Sequence, residues 1–369
     1  MVDDPSAPDP STLLPPATPV RLLESDGTYR ADPDWAVDLP DDQLVELYRT
    51  MVMARQIDAQ SIRLQRQGQL GVYASLRGQE AAQIGSGFAL APQDWVFPSY
   101  RELGVALTRA MDPRELLHVF RGTWLGAHDP AKHRFGLITI SIGTQALHAA
   151  GFAMGARLDD ADCCAVVYLG DGATSEGDVH EALNFAAVFN APCVFFVQNN
   201  QYAISVPLAR QTKAPTIAHK AVGYGMPGLR CDGNDVLASY AVMRRALQHA
   251  REGNGPCLVE AVTYRMEAHT TADDPTRYRE DSELEQWRSR DPITRYAAFL
   301  RARGLLDDDR EAATADAARA EAQTARAAIY DAPHGDPLEL FDHVYVDPPP
   351  RLLAQRAQLR AELEAQGAS

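Results

Sequence analysis

The sequence predicts an α/β fold, a parallel sheet with helices on both faces, and three observations point to it. Short apolar runs, "CCAVVYLG", "CVFFVQNN" and "CLVEAVTYR", recur through the middle of the chain. Segments with helical spacing, at 176–189 and 235–252, lie among them. The runs are nearly all apolar rather than alternating, as strands are when both faces of a parallel sheet are buried.

The elements follow in order. Residues 1–38 open with "MVDDPSAPDPSTLLPPATPV", acidic and proline-rich, and are expected to form a flexible arm. Leu44, Leu47, Tyr48, Met51 and Val52 then fall at helical spacing. The loop in "YASLRGQEAAQIGSGFAL" leads to a second helix. "WVFPSYRELG", a helix at 112–122 and a His- and Gly-rich loop at 122–136 come next. After strand "CCAVVYLG", Ser175 and Asp178 fit a capping box for a helix whose buried face is Val179, Ala182, Leu183 and Ala186. Asn190 and Pro192 mark its end. A helix is expected near 214–224. The α/β domain should span 39–300, and a mainly helical extension 301–369, with "LELFDHVYV" as a last strand-like stretch.

Composition excludes several classes. At 369 residues, 46% hydrophobic and 23% charged, the chain can build a substantial core. Its net charge of −15 argues against a nucleic-acid partner. Cys163, Cys164, Cys193, Cys231 and Cys257 lack metal-type spacing and read as reduced thiols. No run is apolar enough to span a bilayer, and the start lacks signal-peptide features, so a cytoplasmic location is expected.

The chemistry concentrates in "YLGDGATSEGDVHEALNFAAVFNAPCVFFVQNNQYAIS". In an open α/β sheet the ligand crevice lies at the carboxyl ends of the strands. Asp171 ends one strand and Asn200 the next, so both should face that crevice. A carboxylate, an amide oxygen and a nearby backbone carbonyl make a hard, oxygen-only partial shell suited to Mg²⁺, which completes its octahedron with phosphate oxygens. Gly170 and Gly172 allow close backbone approach, and the following helix N-terminus favours an anion. Gly-Asp-Gly alone recurs by chance; 26 residues to the paired asparagine, with a helix and a strand between, is far more specific.

That segment resembles the thiamin diphosphate signature, and the wider match resembles the α subunit of E1 in 2-oxo acid dehydrogenase complexes. "RGQEAAQIGSGFAL", "FPSYRELG", "TISIGTQALHAAG" and "AHTTADDPTRYR" carry it from about residue 44 to about 355. The resemblance implies the thiamin diphosphate-binding fold and Mg²⁺ held by Asp171, Asn200 and the Tyr202 carbonyl. Gly172 and Ala173 complete that turn. Tyr100 and Arg101 would contact the cofactor, Ile140 and Ile142 its aminopyrimidine, and His269 would sit beside the diphosphate and support acyl transfer. His269 also stands at the carboxyl end of a strand, where a group titrating near neutrality suits proton transfer. In branched-chain relatives Thr144 and Gln145 sit at a K⁺ site. Arg277, Tyr278 and Arg279 fall in a loop ordered by cofactor. His128 and His133 are the candidates for a further site histidine, and Ala74 replaces a histidine of animal pyruvate enzymes.

The implied reaction is oxidative decarboxylation of a 2-oxo acid, pyruvate or branched-chain, with acyl transfer to lipoyl-E2. The glutamate that activates the pyrimidine comes in this family from a β subunit, so the implied assembly is an α2β2 heterotetramer. Glu80 is the local alternative, although its match is structural. An acetoin dehydrogenase-type α subunit, or a non-catalytic thiamin diphosphate-binding subunit, are the competing readings.

Overall fold

The computed structural model describes residues 10–122, 128–332 and 335–367. Its strands, in chain order, are β1 (Trp95–Phe97), β2 (Ala165–Gly170), β3 (Cys193–Asn199), β4 (Tyr202–Ala203), β5 (Val206–Pro207), β6 (Gly228–Asp232) and β7 (Cys257–Val262). Five of them form a parallel sheet in the order β1-β2-β3-β7-β6, while β4 and β5 make a small antiparallel hairpin.

Strand alternation splits the core in two. Val166, Tyr168, Val194, Phe196 and Val259 face one layer, with helices Asp41–Arg66, Glu80–Phe88, Val236–His249 and Pro292–Ala302. Ala165, Val167, Leu169, Phe195 and Val197 face the other, with helices Thr144–Leu158 and Gly177–Val188. Phe195 and Phe196 are fully buried on opposite faces. Each such side chain contributes roughly 1.5–3 kcal/mol relative to exposure. This two-sided burial is why β2, most of β3 and most of β7 are apolar.

The chain order places the site. The helix joining β2 to β3 lies on one face, and the helix joining β6 to β7 lies on the other. β3 and β7 are neighbours where these connections diverge, and a crevice opens there at the carboxyl ends of the strands.

Several expectations are corrected. Residues 1–9 of the expected arm lie outside the described residues, but from Leu13 onward the segment is packed. Val20 bridges Cys231 in parallel, and Leu22 and Leu23 are fully buried. Their N–H groups donate to the Asp235 carboxylate at 2.7 and 2.6 Å. The short stretch "VRLL" carries enough apolar surface to dock, which average composition over 38 residues obscures. The capping box does not form. Ser175 ends a 3₁₀ turn, Asp171–Ser175, and the helix begins at Gly177 with Glu176 as an N-cap that makes no side-chain bond. The expected helix near 214–224 is the 3₁₀ segment Ile217–Tyr224.

The C-terminal boundary also moves. Helix Pro292–Ala302 buries Tyr296, Phe299 and Leu300, so the division expected at 300 cuts through the core. The chain instead separates into units Met1–Ile329 and Tyr330–Ser369. The second unit holds the 3₁₀ turn Pro337–Phe341 and helix Pro350–Ala365, with an Arg356–Asp342 ion pair at 3.0 Å. "LELFDHVYV" is not a strand. Asp336 caps the turn instead, and among the described residues the segment has no neighbouring strand to pair with. No helix among the described residues is long and apolar enough to cross a membrane.

Candidate active site

A cleft of about 810 Å³ of empty space opens at the strand ends. Tyr100, Arg101, Ile142, Asp171, Gly172, Ala173, Asn200, Tyr202 and His269 all line it. Ile140 does not; it is 63% exposed, because the extended stretch before helix Thr144–Leu158 turns it outward.

Asp171, Asn200 and Tyr202 are brought together by the ends of β2 and β3 and the start of β4. All three are buried. Gln211 donates to Asp171 Oδ2 at 2.7 Å, leaving Oδ1 toward Asn200. The Asn200 amide has two orientations. With its nitrogen inward it donates to Asp171 Oδ1 and to the Tyr202 carbonyl, each at 3.2 Å. With its oxygen inward, three oxygens face one another and the nitrogen reaches Gln79 Oε1 at 3.2 Å. Three converging oxygens repel unless a cation stands between them, and a shell of this kind fits a hard divalent ion. Burial pushes the Asp171 carboxyl above its ordinary value, with the Gln211 bond and Arg265 acting against it. A cation at this point would hold it ionised.

Gly172 has a specific reason to be glycine. A Cβ there would stand 2.7 Å from the Ala203 Cβ, so the turn after β2 and the β4–β5 hairpin could not close. At Gly170 a Cβ meets nothing within 4 Å.

Two guanidiniums face this cluster. Arg101 donates to the Ser75 carbonyl and, at 3.0 Å, to the His269 carbonyl. Arg265 donates to Tyr202 O at 3.2 Å, Ile204 O at 2.6 Å and Tyr278 Oη at 2.8 Å. Its Nε is buried with no partner. Burial first, and Arg101 second, pull Arg265 below the ordinary guanidinium value. Two like charges side by side, one of them with a buried donor unspent, form a receptor for an anion such as diphosphate.

His269 lies between them. Arg101 and Arg265 approach its Nδ1 at 3.4 and 3.3 Å, and its ring meets Tyr100 edge-on. Both guanidiniums can only donate, so Nδ1 accepts and the proton sits on Nε2. Burial, then Arg101, then Arg265, push the ring down to about 4. His269 is therefore neutral at physiological pH, which corrects the expectation of a group titrating near neutrality.

Other expectations separate cleanly. His128 Nε2 bonds the Phe135 and Gly136 carbonyls, and His133 Nδ1 faces the Arg109 carbonyl; neither lines the cleft. Residues 123–127 of that expected loop lie outside the described residues. Glu80 accepts from Arg55 at 2.7 Å and from Gly78 N at 2.8 Å, a structural role away from the cleft. Gln145 does line the cleft, and its Oε1 is buried without a partner.

Sequence reasoning missed Arg265 and the cleft floor. There Gln83 donates to Gln198 at 2.9 Å, and Gln198 donates to Glu102 at 2.8 Å. Ser99 Oγ donates to the same carboxylate at 2.8 Å. The available signals were an arginine just past β7 and a glutamine, Gln198, near the end of the largely apolar β3.

The dehydrogenase E1 component family matches residues 48–337. The chain is 53% identical over 345 residues to the 3-methyl-2-oxobutanoate dehydrogenase subunit alpha of Mycobacterium tuberculosis, covering 94% of each chain. It is 39% identical over 340 residues to pyruvate dehydrogenase E1 component subunit alpha of Staphylococcus aureus, covering 91% of each, and equally to that of Staphylococcus epidermidis. The chain belongs to the dehydrogenase E1 component family.

Proposed function

We propose that this chain is the α subunit of a branched-chain-type 2-oxo acid dehydrogenase E1. With a β subunit it decarboxylates the 2-oxo acid and passes the acyl group to a lipoylated E2. One observation carries the reading: Asp171, Asn200 and the Tyr202 carbonyl, whose oxygens converge when the Asn200 amide turns its oxygen inward, share a cleft with Arg101 and with Arg265, whose Nε is unpartnered. The oxygens would hold Mg²⁺, and the guanidiniums the diphosphate of thiamin diphosphate. When bound, that cofactor supplies the electron sink that loss of CO₂ from a 2-oxo acid requires. The chain's own residues bind and orient. Ile142 supports the ring portion, Tyr100 and Arg101 form the wall, and neutral His269 offers the proton on Nε2 during transfer to lipoyl. The unpartnered Gln145 Oε1 supports K⁺ at Thr144 and Gln145.

A second, small hollow shares the Ser99–Glu102 wall and is lined by Ala74, Leu116, Phe120, Phe135 and Ile138. Its apolar lining, and the 53% identity to a 3-methyl-2-oxobutanoate enzyme, favour an aliphatic substituent over pyruvate. Each buried methylene is worth about 1–3 kcal/mol of discrimination. For the β partner, Phe185, Val188 and Phe189 at the end of helix Gly177–Val188 are 50%, 70% and 46% exposed, a patch that association would cover.

The experiment is co-production with a β-type chain and assay of 3-methyl-2-oxobutanoate against pyruvate, with and without K⁺. The complex is expected to turn over the branched acid preferentially, and the chain alone to be inactive. Turnover without a partner, or tenfold preference for pyruvate, contradicts the reading.

A further inference from the structure

Asp58, on helix Asp41–Arg66, does not line the cleft, yet its carboxylate is 1% exposed and no ion pair involves it among the described residues. Burial pushes it up to about 6, and hydrogen bonds from Ser75, Leu76 and Tyr73 oppose that rise. A buried carboxylate without a cation is costly, so its partners matter. Asp58 Oδ1 accepts from Tyr73 Oη at 3.0 Å and Leu76 N at 2.8 Å, and Oδ2 accepts from Ser75 Oγ at 2.6 Å.

Followed outward, these bonds close on themselves. The Ser75 carbonyl accepts from Arg101, and Arg101 donates to the His269 carbonyl. Two residues on, Thr271 N donates to the Tyr73 carbonyl at 2.9 Å, and Tyr73 N donates to Thr271 Oγ1 at 3.2 Å. Tyr73 returns to Asp58 through its hydroxyl. The ring joins the long helix, the strap 73–76, the wall arginine and the His269 loop, elements that no single stretch of sequence holds together.

We propose that Asp58 is a positioning residue that sets Arg101 and His269 for diphosphate binding by anchoring both ends of the strap; the inference rests on the cofactor reading above. A carboxylate accepts from all three partners at once, whereas asparagine has one accepting oxygen, so at least one of the Ser75 and Tyr73 hydroxyls or the Leu76 N–H must change its bond. Asparagine would turn an N–H toward one of these donors, release the Ser75 carbonyl from its place, and leave Arg101 free to swing.

The test uses the full chain with its β partner, titrated calorimetrically with thiamin diphosphate in Mg²⁺, beside melting temperature and kinetics. D58N should raise the cofactor Kd about tenfold and the cofactor concentration for half-maximal activity with it. D235N is the control. Asp235 is equally buried but binds Leu22, Leu23 and the start of helix Val236–His249, so it should lower the melting temperature with Kd within twofold of wild type. D58N behaving like D235N overturns the proposal. If D58N does not fold, Y73F removes one bond of the ring and should raise Kd about threefold; an unchanged Kd overturns it equally. Wild-type protein without cofactor affinity sinks the cofactor reading itself, and this inference with it.

Discussion

Arg101 donates to the His269 carbonyl at 3.0 Å while standing 3.4 Å from the Nδ1 of the same residue. One guanidinium thus fixes both the backbone and the tautomer of the histidine. The cation's field, added to burial and to Arg265, keeps the ring neutral down to about 4.

The sign of the pH effect follows. The folded value lies below the usual 6.5, so this group favours the folded state above 6.5 and ceases to do so as pH falls through about 4. A net-negative metal–diphosphate beside the two guanidiniums offsets their field and raises the histidine. Binding between pH 4 and 6.5 is therefore expected to take up protons. Calorimetry in two buffers of different ionisation enthalpy, on wild type beside His269→Ala so that the cofactor's own phosphate proton cancels, measures this, and equal proton exchange in the two would contradict the assignment.

Arg101→Ala removes charge-assisted bonds worth about 1.5–3 kcal/mol each. The cofactor Kd is expected to rise roughly 10- to 150-fold by the 1.4 kcal/mol per tenfold relation. Arg101→Lys should recover only part of this, since one ammonium cannot reach the Ser75 and His269 carbonyls as a planar fork does.

The two glycines of Gly-Asp-Gly should behave differently. Gly172→Ala meets Ala203 at 2.7 Å and must displace the hairpin that carries the Tyr202 carbonyl. A loss of about 1–3 kcal/mol in stability, together with weaker Mg²⁺-dependent binding, is expected. Gly170→Ala has open space and should leave stability near wild type. Denaturant melts and calorimetry on the pair decide it.

Val188→Asp charges the exposed patch without touching the core, as Val188 is 70% exposed. The variant should fold normally but fail to assemble with the β chain. Light scattering reads the mass, and an intact heterotetramer would move the interface elsewhere.

Much of this was legible in the sequence because the signals are local. Largely apolar runs marked β2, β3 and β7, and the fixed distance from Asp171 to Asn200 marked two strand tips. What stayed hidden is made at long range. The Glu102–Gln198–Gln83 floor and the Asp58 ring join residues distant in the chain, and nothing in "FVQNN" says which glutamate its glutamine will meet. Packing also reversed local impressions. Leu22 and Leu23 looked like part of a loose arm until the Asp235 carboxylate accepted their N–H groups. His269 looked like an ordinary imidazole until two guanidiniums flanked it.

The most direct test of the oxygen cluster is Mg²⁺-dependent thiamin diphosphate binding by Asp171→Ala and Asn200→Ala, followed by calorimetry on the chain with its partner. Both variants are expected to lose the metal-dependent part of the affinity while keeping a wild-type melting profile in the absence of metal. Undiminished Mg²⁺-dependent affinity in either one would contradict the account.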